Sequence, residues 1–424
     1  MSVVTVDPAT GSLVIGGAKV FPVVLAQPPP PGGQTPAGTD GWNEVTSVGV
    51  NFIRTRAINW SLAHINAQIA AERQVLDAAT THRLHCWLQL GGVANLPPPS
   101  TPPSTNEQLL VKIANGLKGH AALGVYKGVD EPANPNRPAP VPPDGLVRAY
   151  QKLKATDPNH PIVITQAPLG AEASLEPYRP AFDITGADIY PVSYPPGVHT
   201  DLPNKDISVV GDVTRKMVAA AGGKPVWMTL QIAWSGVMPN QTHPDIVPRF
   251  PTFLEARFMA YQAIVAGARG LVFYGGNFTQ IMRPRDANLG WNWTFWQMVL
   301  RRLVFELMSD SVRPALVAAN AAVPVTANAS DVELVTRRTG NALHVIAVRR
   351  SATATSKVTF SGLPRRADGT ALSTGEVMME YTQRPLPPPV NPTKQLFRSV
   401  AVANDSFDDW FGPHDAHVYR FRLA

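Results

Sequence analysis

Two adjacent acidic residues stand where a carboxyl group could act as an acid. Asp130 and Glu131 follow an apolar run that begins at Leu123, and they precede Pro132, which ends that run. A like charge beside a carboxyl group favours its protonated form, which is the form a general acid needs. Glu131 is therefore the predicted proton donor. The alternative is that Asp130 or Glu131 only caps the turn before Pro132.

A second carboxylate is predicted at Asp188, in the segment Gly-Ala-Asp-Ile-Tyr-Pro. Its neighbour Tyr190 could stack on a substrate or hydrogen-bond to it. Two structural roles are equally open for Asp188: an Asx turn before Pro191, or a salt bridge to an arginine of the second apolar run. Cleavage of a glycosidic bond requires one protonated carboxyl group and one ionised carboxylate.

Further polar and aromatic residues end the other apolar runs and could contact a sugar. The predicted substrate contacts are Arg54, Asp130, Tyr190, Gln231, Trp234, Tyr274 and Glu255. Glu255 is the third-choice carboxylate, because it could instead pair with Arg257 or cap its helix. Aromatic faces also pack well on sugar C–H groups, so Tyr194, Trp291 and Trp293 are possible platforms, although such residues serve as often in a core or at a hydrophobic rim.

The apolar runs alternate with amphipathic stretches, which is the pattern of βαβ units in a parallel sheet. Eight runs are present, starting near residues 20, 51, 85, 123, 161, 182, 225 and 268. Helices are predicted between them at 41–48, 66–82, 107–118, 144–156, 209–221 and 252–266, with an eighth helix at 291–308, and the connection after 161 is the poorest. Eight strands with crossover helices predict a (β/α)8 barrel.

The pattern changes near residue 312 to period-2 strands with polar turns. The segment 331–350 predicts a hairpin about Thr339-Gly340-Asn341, and no helix-length periodic segment follows. We therefore expect an α/β chain with two domains: a catalytic (β/α)8 TIM barrel at 1–311 and a small antiparallel β-sandwich at 312–424.

Other functional classes receive little support from the sequence. The net charge is +6, but basic residues form no run interleaved with aromatics, so nucleic acid is not an expected partner. The histidines and the single Cys86 lack the spacing of metal ligands, so no metal is expected. No glycine-rich phosphate-binding loop opens a helix, so no cofactor is expected either. No stretch is long and apolar enough to span a bilayer, and the N-terminal residues lack a signal-peptide pattern, which leaves the compartment open.

Several motifs together resemble TIM-barrel glycoside hydrolases of the large retaining clan, the β-galactosidase-like barrels. Gly-Val-Asp-Glu-Pro at 128–132 is similar to their acid/base motif, with Asp130 in place of the usual asparagine. The segments around 186–191, 224–234 and 251–276 look like their sixth to eighth strands, and the closing segment resembles the end of their C-terminal sandwiches. The resemblance implies that Glu131 is the acid/base and that a carbohydrate is the substrate.

The seventh strand departs from that pattern. Clan members carry a nucleophilic glutamate at its end, and here the segment offers Gln231, whose amide cannot form the usual glycosyl ester. Asp188 or Glu255 must then supply the second carboxylate, the enzyme must invert, or the protein must bind glycans without cutting them. A lyase or aldolase is a further alternative, for which Lys127 is the only lysine close to a strand end, and it is expected part-way down that strand.

Overall fold

The eight apolar runs form the parallel strands of a closed barrel. A computed structural model describes residues 3–56, 58–196, 199–232, 244–274, 291–380 and 397–424. The barrel strands are β1 (Val23–Leu25), β2 (Phe52–Arg54), β3 (His85–Gln89), β4 (Leu123–Lys127), β5 (Ile162–Gln166), β6 (Ile184–Ile189), β7 (Trp227–Gln231) and β8 (Gly270–Tyr274). Strand β8 pairs with both β7 and β1, which closes the sheet.

Helices follow the strands in turn and cover the outside of the barrel. They are α1 (Gly41–Ser47), α2 (Ile65–Thr81), α3 (Thr105–Leu117), α4 (Pro143–Thr156), α5 (Glu172–Leu175), α6 (Val209–Ala221), α7 (Phe253–Val265) and α8 (Arg301–Met308). Segments Trp291–Phe295 and Trp296–Leu300 lead into α8 as an α-turn and a π-helical turn. The poorly patterned fifth connection is one α-helical turn followed by a 3-10 segment, Glu176–Ala181.

The first apolar run, which starts near residue 20, is divided between a small N-terminal sheet and the first barrel strand. Three short strands, Val4–Val6, Leu13–Ile15 and Ala18–Val20, form an antiparallel sheet, and the chain turns at Phe21-Pro22 before β1 begins. Val4 and Leu13 pack against the inward-facing residues of the barrel strands. Because β1 begins directly after this sheet, the sheet closes the N-terminal end of the barrel.

Alternation along the strands sorts their residues into an outer and an inner set. The buried inner set comprises Phe52, Trp87, Val125, Val163, Ile184, Trp227 and Val272. Residues two or four positions further along face the same interior near the C-terminal ends, and these are Arg54, Gln89, Lys127, Thr165, Asp188, Gln231 and Tyr274. The interior is thus apolar in its middle and polar at the C-terminal mouth, where barrel enzymes place their active sites.

Two antiparallel sheets follow the barrel and form the β-sandwich. Their strands are β9 (Thr326–Ala327), β10 (Val332–Thr339), β11 (Ala342–Arg349), β12 (Ser356–Ser361), β13 (Thr374–Met378), β14 (Phe397–Ala401), β15 (Ser406–Phe411) and β16 (Ala416–Arg422). The orders are β9-β12-β15 and β10-β11-β16-β13-β14. The hairpin is confirmed, since Thr339 pairs with Ala342 around Gly340, whose φ is +52°. The predicted fold class, a TIM barrel with a C-terminal sandwich, is confirmed; the boundary at 312 stays a prediction.

Candidate active site

Glu131 lies in a sharp turn just after β4. Its φ is +43°, a left-handed conformation that a residue with a side chain rarely adopts. The turn is fixed on both sides, because the Glu131 N–H donates to Thr165 O at 2.7 Å and the Glu131 carbonyl accepts from Asn134 N at 3.1 Å. Asn134 also donates from Nδ2 to Glu131 Oε2 at 2.8 Å. Backbone and carboxyl group are therefore both held in place at the barrel mouth.

Asp188 faces the barrel interior from β6, near the carboxyl groups of Glu131 and Asp130. Burial raises the pKa of Asp188 well above its usual range, and the negative charges of Glu131 and Asp130 act in the same direction. The surroundings of Asp188 therefore favour its protonated form. The fold thus brings the two predicted catalytic residues together at the barrel mouth.

A lysine–aspartate pair stands beside these two carboxyl groups. Lys127 is the last residue of β4, not one part-way down it, and its buried Nζ lies 2.6 Å from Asp130 Oδ1 and 5.8 Å from the Trp87 ring centroid. Desolvation acts to raise the pKa of Asp130, but the charges of Lys127, Arg54 and Arg137 outweigh it and lower that pKa. Asp130 is therefore an ionised carboxylate at the mouth.

Three of the predicted substrate contacts form a stack at the same end. The Arg54 guanidinium lies 6.0 Å from the Tyr274 ring centroid, and Tyr274 stacks on Tyr190 at 5.8 Å. The other neighbour of Tyr190 is His199, whose ring lies 4.5 Å away and whose Nδ1 accepts from Tyr190 N at 3.1 Å. Burial lowers the pKa of His199 to about 4, so this imidazole is neutral. A neutral aromatic wall results, with Arg54 at its edge.

Gln231 is the last residue of β7, and its side-chain amide is hydrogen-bonded to the backbone of Val192. Its Oε1 accepts from Val192 N at 2.8 Å, and its Nε2 donates to Val192 O at 2.9 Å. The amide thus pairs with a backbone residue as another strand would, and it is buried. Gln231 therefore holds the loop after β6 in place. Its contact with substrate stays a prediction.

The Glu255 carboxylate is also hydrogen-bonded to neighbouring residues of the protein. It forms the capping box of α7 with Thr252, and both its oxygens accept from Arg249, at 2.6 and 2.9 Å. Burial acts to raise its pKa, but Arg249 and the bonds from Thr252 lower it. The helix-capping alternative is therefore observed. Pairing with Arg257 is not, since Arg257 bonds to Glu306 instead. Trp234, the remaining predicted contact, lies outside the described residues.

Sequence reasoning missed four residues that shape this mouth: Asn134, Arg137, His199 and Arg249. Each acts from a loop, and nothing in the local pattern marks its partner. Lys127 could have been placed from the period of two, because it follows the inward-facing Val125 by two residues. Within the described ranges, no group of three metal-ligating side chains is present and no helix is long and apolar enough to cross a membrane.

Comparison with known proteins gives a match in structure but not in sequence. No family model and no curated protein matches the chain. A family 5 glycoside hydrolase from Bacteroides vulgatus is 11% identical with a TM-score of 0.61, covering 99% of this chain and 93% of that one. A GH30 endoxylanase from Clostridium papyrosolvens is 11% identical with a TM-score of 0.53, covering 99% and 100%.

A family 51 α-L-arabinofuranosidase from Bifidobacterium longum is 12% identical with a TM-score of 0.53, covering 100% of this chain and 97% of that chain. Identities this low carry the fold and not the chemistry. The chain therefore shares the barrel architecture of glycoside hydrolases of families 5, 30 and 51.

Proposed function

We propose that this protein is a glycoside hydrolase that cleaves an oligo- or polysaccharide, with Glu131 as proton donor and Asp188 as the second carboxyl group. The observation that carries the proposal is the buried carboxyl group of Asp188 beside the charge of Glu131 at the C-terminal mouth of the barrel. Carboxyl groups whose pKa is strongly raised by burial and a like charge concentrate at functional sites.

The proton on Asp188 defines the order of events. Glu131 gives a proton to the leaving oxygen while it receives the proton of Asp188, and the bond between the anomeric carbon and that oxygen breaks. Both carboxyl groups are then ionised next to the positive charge that develops on the sugar. Water adds to the anomeric carbon and returns a proton to the pair. In this scheme Asp188 is the ionised second carboxylate only after the proton has left.

The scheme places the sugar above the pair and not between its members. Retaining enzymes separate their carboxyl groups by about 5 to 5.5 Å and inverting ones by about 6.5 to 9.5 Å, so that the reacting centre fits between them. The proton relay requires the two carboxyl groups to be in hydrogen-bond contact, which is closer than either spacing. Arg54, Asp130, Tyr190 and Tyr274 are the proposed contacts of the reacting sugar, since they line the same mouth; Gln231, Trp234 and Glu255 stay predictions.

The decisive test compares the wild type with Glu131→Gln and Asp188→Asn on a panel of polysaccharides and aryl glycosides. Neither amide can release an acidic proton, so both variants should lose at least about a hundredfold in kcat/KM. Asp310→Asn is the matched control, because Asp310 is 84% exposed on a loop after α8. Full activity in Glu131→Gln would remove the proposed proton donor.

Gln231 favours a second candidate, a carbohydrate-binding barrel without hydrolysis. Its amide replaces a carboxylate at the end of β7 and is bonded to Val192. A binding protein would cleave no member of the panel, and Glu131→Gln would still bind glycan by calorimetry. A lyase or aldolase is less well supported, because the Lys127 side chain is already engaged in an ion pair with Asp130.

A further inference from the structure

A two-stranded ribbon lies in the loops at the C-terminal end of the barrel. Ser193–Tyr194, in the loop after β6, pairs antiparallel with Val247–Pro248, in the loop after β7. Tyr194 lies directly opposite Val247. Directly opposed residues of an antiparallel pair project from the same face, so these two side chains lie side by side. We call this pair the rim platform.

The rim platform is apolar and faces water. Tyr194 is 57% exposed and Val247 is 55% exposed, whereas Ser193, which alternates with Tyr194, is buried. The ribbon therefore has one face packed on the protein and one presented to solvent. An exposed aromatic ring beside an exposed aliphatic side chain is more than the scattered single residue expected on a surface.

The ring of Tyr194 is held by a chain of charged contacts. The Arg249 guanidinium lies 4.9 Å from the ring centroid. Arg249 is in turn fixed by two bonds to Glu255, and Glu255 accepts from Thr252 N at 2.8 Å at the start of α7. The guanidinium covers one face of the ring and leaves the other uncovered by it. A ring held in this way loses little freedom when a ligand stacks on it.

The platform is also tied to the reaction centre. Val192, next to the ribbon, is bonded through both its backbone groups to Gln231 at the end of β7. Ile246, next to Val247, packs on Tyr190 of the aromatic wall. Tyr194 comes six positions after Asp188, so their Cα atoms are at most about 22 Å apart. One extended sugar chain could therefore reach both places.

We propose that Tyr194 and Val247 form a sugar-binding platform for a pyranose unit distant from the bond being cut. Resting on the proposed function, this inference narrows the substrate to an oligo- or polysaccharide chain rather than a single glycoside. The apolar C–H face of the sugar stacks on the exposed ring of Tyr194, and the phenol hydroxyl hydrogen-bonds to a hydroxyl group at the edge of the sugar. Gln231 acts as a positioning residue, because its amide holds the strand that carries the platform.

The experiment measures binding in the Glu131→Gln background, where cleavage is blocked. Calorimetry with xylo-, cello-, manno-, galacto-, arabino- and malto-oligosaccharides of one to six units identifies a chain that binds. Adding Tyr194→Ala should then weaken binding of the longer oligomers by about tenfold, while Tyr194→Phe keeps most of the affinity because it keeps the ring. Trp410→Ala is the control, since Trp410 is 60% exposed in the sandwich.

The outcomes separate this inference from the proposed function. If the wild type cleaves a chain and Tyr194→Ala binds it as tightly as its parent, the platform is wrong and the hydrolase stands. If nothing is cleaved but Tyr194→Ala still weakens binding, hydrolysis is wrong and the platform stands. The platform is also overturned if Trp410→Ala weakens binding equally, or if no oligomer binds. Tyr194 is exposed, so loss of folding is not expected, and thermal melting of each variant checks this.

Discussion

At the scale of single residues, Glu131 combines a chemical group with an unfavourable backbone conformation. A side chain in the left-handed region costs about 1 to 3 kcal/mol, and such residues persist where surrounding bonds fix them. Here the fixing bonds run from Glu131 N to Thr165 O and from Asn134 N to Glu131 O. The turn places Glu131 at the barrel mouth near Asp188, so the strain is a cost of bringing the two carboxyl groups together.

Replacing Glu131 by glycine or by alanine isolates that backbone cost. Both variants lose the carboxyl group and should lose activity together, but only glycine adopts a φ of +43° without strain. Glu131→Gly should therefore be more stable than Glu131→Ala by about 1 kcal/mol in urea denaturation.

The same pair of substitutions at Gln151, an exposed position inside α4, is the control. There the order should reverse, because glycine is about 1 kcal/mol less favourable than alanine in a helix. Equal stability of the two Glu131 variants would contradict a strained turn.

At the scale of elements, α2 covers the barrel with a buried acidic residue in its inner face. Glu72 is buried, with Thr55, just after β2, as a polar neighbour and Arg56 as the nearby positive charge. Burial raises the pKa of Glu72 to about 7, and the contributions of Thr55 and Arg56 lower it less than burial raises it. The packing of α2 on β2 therefore depends on a carboxyl group that prefers to be protonated.

Glu72→Gln should stabilise the protein at alkaline pH. A carboxyl group whose pKa is raised on folding binds its proton more tightly in the folded state, so its contribution to stability falls as pH rises from about 4.5 to about 7. The amide does not titrate. At pH 8 the variant should gain about 3 kcal/mol in free energy of unfolding, and near pH 4 the two proteins should be alike. A difference that does not change with pH would contradict the raised pKa.

At the scale of the whole molecule, buried and half-buried ion pairs join the barrel to the sandwich. Arg257 of α7 bonds to Glu306 of α8 at 2.9 Å and donates to the Ala416 carbonyl of β16, while Tyr261 donates to Glu306 at 2.8 Å. Arg350, just after β11, bonds to Asp212 of α6 at 2.8 Å. Because Arg257 and Glu306 are buried, their charges depend on each other.

Glu306→Gln should weaken the whole assembly, because it leaves the buried Arg257 with only its longer ion pair, 3.9 Å, to Asp415. Loss of one member of a buried pair costs about 3 to 5 kcal/mol, which urea denaturation would detect. Asp310→Asn breaks the exposed Asp310–Arg313 pair, 2.9 Å long, and should cost less than about 1 kcal/mol. Equal effects of the two variants would mean that the interface does not depend on the buried pair.

Much of the fold could be predicted, because it depends on patterns that are local in sequence. Apolar runs bounded by amphipathic stretches located all eight barrel strands, and the period of 3.6 placed α6 at Val209–Ala221 as observed. The strand ends in turn pointed to Glu131 and Asp188, since a closed parallel barrel must gather its C-terminal ends at one mouth. The turn at Pro22, which separates β1 from the N-terminal sheet, was missed because the apolar run continues through it.

Only the tertiary structure decided which groups meet at that mouth. Whether Asp188 lies near Glu131, and whether Gln231 pairs with Val192 or faces a ligand, depends on loop conformation and on the register between strands. The pairing of Glu255 with Arg249 and not with Arg257 is a choice of the same kind. Secondary structure follows from the periodicity of a residue's neighbours along the chain. Side-chain partners and protonation depend on groups that are distant in sequence and that only the folded barrel brings within bonding distance.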